Sequence, residues 1–187
     1  MTGPAMQAIG PPRRPATARR WAVGLLLVVL FVSSSCAIDF RRPTTTVEAL
    51  RVSEVVGEGD AARRASNRLV VKGLDADSQQ QPDRALGIYE EALRVDATNP
   101  YAYLAIARHH VEGDDPTWAL SFIDKADSLF RADGGVSPRV EPHLVGLRGQ
   151  ALYASGQIDA GLPLLEQAWT VAPDVWADGQ LSAAELR

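Results

Sequence analysis

A single cysteine, Cys36, in 187 residues excludes an intramolecular disulfide framework and a thiolate-rich zinc module. Histidine is nearly as scarce, with only His109, His110 and His143. The adjacent pair would point about 100° apart on a helix, so they do not share a metal well. No HExxH spacing, no GxSxG turn and no GxxxxGK[ST] phosphate loop occurs. No β-hairpin signal appears anywhere. These absences point away from an enzyme, a metal site and a bound cofactor, and towards an all-α binding protein.

Acid is missing from one stretch. Residues 1–35 hold Arg13, Arg14, Arg19 and Arg20 and no Asp or Glu. The overall net charge of −4 therefore averages two parts. The other 152 residues carry 15 bases and 23 acids, a net of −8. Such a domain repels phosphate backbones, which argues against nucleic-acid binding.

After the arginines, Trp21 to Val32 form twelve apolar residues, then Ser33-Ser34-Ser35-Cys36. Twelve residues span roughly 18 Å as a helix, short of a ~30 Å hydrocarbon core. A basic region, a short apolar run and small residues make a secretory signal over residues 1–35. The Ser34-Ser35-Cys36 ending resembles the bacterial lipoprotein signal, with Ser33 where that motif usually carries Leu. The resemblance implies cleavage before Cys36, lipidation of its thiol, and a mature protein held to a membrane. Ala37 in place of the Asp that marks inner-membrane retention implies the outer membrane, facing the periplasm. Two other readings stand beside this one: a single uncleaved anchor from Trp21 to Ile38, and an ordinary signal peptide. Met1 and Met6 are both possible starts.

Residues 36–59 are expected to be a tether with one short helix over Val47 to Val56, stopped by Gly57-Glu58-Gly59. Asp60 is placed to cap the next helix. From there an internal repeat appears. Ala85-Leu-Gly-Ile-Tyr-Glu-Glu-Ala92 aligns with Ala119-Leu-Ser-Phe-Ile-Asp-Lys-Ala126, 34 residues on. Gly161-Leu-Pro-Leu-Leu-Glu-Gln-Ala168 is a third copy, displaced by an eight-residue insertion at Gly134–Glu141. Small residues recur upstream (Gly73, Ala107, Gly149), as do apolar ones (Leu69, Tyr103, Val145).

This period and pattern resemble the tetratricopeptide repeat, a helix–turn–helix unit, over residues 66–175. Pro173 keeps the family's proline near a unit's end, whereas Ala97 and Arg131 replace it. Gly156 ends a first helix as the family expects, and Gly113 is offset by one. The resemblance implies an antiparallel helix-hairpin solenoid with repeats at about 66–99, 100–133 and 142–175 and a cap at 176–187. The punctuation agrees without it: Asn99-Pro100 and Asp115-Pro116 are cap-plus-first-turn pairs, and Pro82 and Pro142 sit where helices should begin. Helices are expected near 60–78, 82–95, 100–112, 116–131, 142–155 and 158–171. A capping box at Ser182…Glu185 predicts a last helix sealing the final repeat, with Leu186 inward. Tyr89, Phe122 and Trp169 fall in packing columns.

In that family the first helices line a concave groove for peptides or partner helices. Carried onto this frame, the groove is Asn67, Val70, Leu74 and Asp77 from unit one. Unit two supplies Tyr101, Leu104, Arg108, Val111 and Glu112, and unit three His143, Gln150 and Tyr153. The function implied is a membrane-anchored adaptor or scaffold in the cell envelope, with an unidentified protein or peptide partner. The alternative is a homo-oligomeric organiser, which an exposed apolar end face would favour.

Overall fold

The computed structural model describes residues 45–113 and 115–187. The expected signal peptide, the lipidation at Cys36 and the start of the tether lie outside the described residues, as does Asp114. Pro43–Arg187 forms one compact unit. Among the described residues there is no strand, and no helix is long and apolar enough to cross a membrane.

Six helices make three antiparallel hairpins. They are α1 (Ala61–Ser78) with α2 (Pro82–Val95), α3 (Pro100–Glu112) with α4 (Pro116–Ala132), and α5 (Glu141–Ala154) with α6 (Ile158–Val171). Two four-residue helices follow, α7 (Pro173–Trp176) and α8 (Ala183–Leu186). The starts are chemical. Asp60, Asn99 and Asp115 each accept a backbone N–H of the first turn, and proline opens α2, α3 and α4. Gly156, at φ +81°, turns the chain out of α5. In unit one the equivalent position is Gln80, which adopts the same left-handed conformation at φ 58° without glycine's freedom.

The small column is where paired helices cross. A Cβ on Gly149 would stand 2.9 Å from the Leu165 nitrogen, and one on Gly73 would stand 2.3 Å from the Tyr89 ring. Ala107 is buried at the same place in unit two. Buried polar groups join units one and two. Asn99 donates to Ser66 Oγ and Asn67 Oδ1, both at 2.8 Å, while the Ser66 hydroxyl donates to the Ala92 carbonyl. Arg63 bridges Asp96 at 2.5 Å and Asp133 at 2.9 Å.

Two expectations change. Residues 47–56 are not a helix in a tether. They run as an irregular strap ending in a 3-10 turn, Val52–Val55. Its N–H groups find partners across the fold: Val47 donates to the Val171 carbonyl and Leu50 to that of Arg139. Val52 and Val55 are buried. A helix would have satisfied those donors locally and could not have reached both partners. The terminal helix α8 does form on its capping box, and Leu186 is buried. It packs against α1 and α3, the first helices of units one and two, and not across the outer side of α6.

Candidate functional site

The concave side is built from α1, α3 and α5, and the strap and the C-terminal tail occupy it. Trp176 lies on Gly146, where a Cβ would stand 2.3 Å from the indole. In the repeat frame Gly146 shares the column of Val70 and Leu104. The missing side chain makes room for the ring, and Trp176 is 1% exposed. Leu181, Ala183 and Leu186 continue inward, and Arg187 pairs with Asp75 on α1. The strap lies beside them. Ser53 donates to the Arg187 carbonyl, and Asn67 Nδ2 donates to the Val55 carbonyl at 2.9 Å. The insertion before α5 secures the strap: Arg139 donates to the Glu48 carbonyl and bridges Glu54 at 2.8 Å.

The groove columns therefore face the concave side, but most are closed. Val70, Leu74, Leu104, Arg108 and His143 are buried and serve packing, which corrects the expectation that they line an open groove, while Asn67 and Val111 are buried but still edge open clefts. Asp77, Tyr101 and Gln150 are half-buried, and Glu112 and Tyr153 are exposed. Gly146 was missed as a groove position because a residue without a side chain offers nothing to contact. The tail that fills it was legible only as a capping box.

Two of the closed positions carry polar chemistry. His143 Nε2–H donates to the Leu50 carbonyl at 2.8 Å. Burial pushes its pKa down despite that bond and the Glu185 charge, so it sits neutral. Around Asp77 a denser cluster forms. Arg108, 1% exposed, pairs with Asp77 and with Glu112 at 2.6 Å. Tyr89 donates its hydroxyl to Asp77 at 2.9 Å, and His109 Nδ1 lies 3.1 Å from the same carboxylate. A carboxylate only accepts, so the proton of that last bond is on His109. Burial pushes Asp77 upward, but the His109 bond, the Arg108 charge and the Tyr89 hydroxyl hold its pKa below the usual range. Burial, then the Asp77 charge, raises Tyr89 well above normal. Each partner is committed to another, so the cluster locks units one and two together. A shallow cleft of about 370 Å³ beside it is lined by Asp77, Gln80, Pro82, His109, Glu112 and Gly113. His110 is half-buried and stacks on Phe122 at 5.2 Å. Among the described residues no group of three or more His, Cys, Asp and Glu is placed to hold a metal ion.

The open surface is at the far end of the solenoid. Along α6, Ile158, Leu162 and Trp169 share one stripe and are half or more exposed or nearly so, at 47%, 51% and 53%. Trp169, expected to pack, is uncovered among the described residues, where no further hairpin lies against α6. Tyr153 extends the patch. Between it and the tail runs an open cleft of about 560 Å³, which brings together Val111, Glu112, Gln150 and Tyr153 of the expected groove with Leu162 and Leu165.

No family model matches the chain, and no curated protein matches it. Among solved structures it is similar to the N-terminal domain of stress-induced protein-1 (STI-1) from C. elegans. The TM-score is 0.52 at 17% identity, over 68% of this chain and 98% of that one. A likeness at that identity is one of fold. With the three hairpins it establishes an all-α, tetratricopeptide-like helical-repeat solenoid.

Proposed function

We propose that the protein is a membrane-anchored adaptor of the bacterial cell envelope that binds another protein through its helical-repeat domain. The observation that carries this is the exposed apolar stripe of α6. Contiguous apolar surface on a folded domain marks an interaction site more often than chance exposure does. A helix-hairpin solenoid ending in such a stripe is a scaffold still open to one more helix. The anchor rests on the leader and on Cys36, whose acyl chains would hold the domain at the outer membrane. With the concave side filled by the chain's own strap and tail, the partner-facing surface shifts to the end of the solenoid.

Two measurements test the reading. Mass spectrometry of the native protein should find the leader removed and Cys36 acylated; an unmodified Cys36 behind an intact leader refutes the anchor. Crosslinking of the full chain in membranes should recover a specific protein, and Leu162→Glu should reduce that recovery at least tenfold. Equal recovery from both removes the adaptor reading at this face.

A self-association reading has one specific observation in its favour. The apolar end face is open, because α8 packs elsewhere.

A further inference from the structure

The charges around that end face are of one sign. Between Arg148 and Arg187 the chain has no Lys, Arg or His and five acids, Asp159, Glu166, Asp174, Asp178 and Glu185. Asp159 and Glu166 are exposed on α6, flanking the apolar stripe. One face of α1, at the opposite end of the solenoid, has the other sign. On α1, Arg64, Arg68 and Lys72 recur every four residues on one face, with Ala65 and Leu69 between them. Arg68 and Lys72 are exposed, and Arg64 is half-buried and donates to the Gly59 carbonyl.

Inside the molecule, one junction between units already shows what such faces do. Arg148 on α5 pairs with Asp124 on α4 at 2.7 Å, joining unit three to unit two. In the repeat frame the column of Asp124 is Glu166 in unit three, and the column of Arg148 is Lys72 in unit one. Apolar positions behave alike. Leu86 and Leu120, half-buried in the first two units, correspond to Leu162, which no later unit covers. Along the cleft between α4 and α5, Asp127 lies with Glu141 and Val145. The corresponding positions are Trp169 on α6 and Ala65 and Leu69 on α1, a large ring set against a small residue.

We propose that the chain stacks head to tail on copies of itself, α6 of one copy receiving α1 of the next as though it were the following repeat. This rests on the self-association reading of the end face and says how the copies meet. Glu166 meets Lys72 as Asp124 meets Arg148. Asp159 draws in Arg68, whose aliphatic stem covers Leu162, and Trp169 packs on Ala65 and Leu69. A two-fold pairing of α6 with itself is disfavoured, since it sets Asp159 and Glu166 against the same acids. A head-to-tail contact is heterologous and leaves an open end on each copy, so it propagates. Ion pairs at its rim make it sensitive to salt.

The test uses the full chain in the membranes of expressing cells, with a photo-crosslinking amino acid at position 162. The expected product is a self-adduct mapping to residues 61–75 of a second copy. Lys72→Glu and Glu166→Lys should each lower its yield at least tenfold, and the two substitutions together should restore it. Both positions are exposed, so neither charge reversal threatens the fold. An adduct confined to a different protein overturns the stacking and leaves the adaptor reading standing. An adduct to residues 158–169 of the second copy overturns it in favour of a two-fold dimer. No adduct at position 162, or no restoration by the double reversal, overturns it as well.

Discussion

Trp176→Ala should unfasten the tail from the concave side. The indole is 1% exposed and rests on the bare backbone of Gly146. Truncating a buried Trp to Ala removes about 3–5 kcal/mol. In a domain of this size that lowers the melting temperature by roughly 10–15 °C. Among the described residues the buried indole N–H has no partner, and an unmet buried donor costs about 1–3 kcal/mol. Trp176→Phe keeps most of the contact and discards that donor, so its loss should stay within about 1.5 kcal/mol.

Fluorescence gives the second readout. Trp118 and Trp169 are exposed, so blue-shifted emission from the 43–187 unit comes from Trp176. Gly146→Ala forces a methyl into the ring. It should cost about 1–3 kcal/mol and shift that emission to the red. In a Trp176→Ala background the same substitution should be nearly neutral, because the clash has gone. Urea melts with emission spectra for the four proteins complete the cycle. If Gly146→Ala costs the same with and without Trp176, or if Trp176→Ala loses under about 1 kcal/mol, the tail is not seated on α5 as described.

Three more outcomes follow from buried or strained groups. Burial lowers the pKa of His143, so the unfolded chain binds more protons than the folded one below about pH 6.5. Stability should fall as pH drops through that value, by up to about 1.4 kcal/mol per pH unit for each proton taken up. His110 adds to the fall, since burial and then the His109 charge lower its pKa too. His143→Gln, which keeps a donor for the Leu50 carbonyl, should flatten the slope between pH 6.5 and 5 in chemical denaturation; an unchanged slope refutes the assignment. Asp77→Asn leaves Arg108 buried with only the exposed Glu112 as counter-charge. It should lose about 3–5 kcal/mol, and adding Arg108→Met should regain most of it in thermal melts. Gln80→Gly relieves a left-handed residue at φ 58° and should raise stability by roughly 1 kcal/mol; a loss would mean that the Gln80 side chain carries weight elsewhere.

The hairpins were legible because their signals are local. Asp60, Asn99, Pro100, Asp115 and Pro116 punctuate the helices through their own backbone chemistry. The Gly73, Ala107 and Gly149 column marks a crossing that tolerates only small residues. All six long helices fall within about two residues of their expected ends. The strap and tail were not legible, since their partners are distant in sequence. Val47 pairs with Val171, Leu50 with His143, and Ser53 with Arg187. An apolar count of Val47, Leu50, Val52, Val55 and Val56 fits a short helix as well as a strap buried on one side. Only the long-range partners decide between them. The same holds for Trp169, whose column packs in a unit that has a successor and lies bare in one that has none.

That last point bears on where binding resides in a short helical-repeat domain. Each hairpin leaves one apolar face for a neighbour, so three hairpins always leave an end uncovered. A terminal helix could have sealed α6. Instead α8 is spent on the concave side, where Trp176, Leu181 and Leu186 complete the core that the first helices alone would leave wet. The strap reaches the same core from the N-terminal side, so two segments distant in sequence are fastened to each other there. Among the described residues, the surfaces left free are the basic face of α1 and the acidic, apolar face of α6. They differ in sign and correspond, column for column, to the two sides of the junction that Asp124 and Arg148 already close within the molecule.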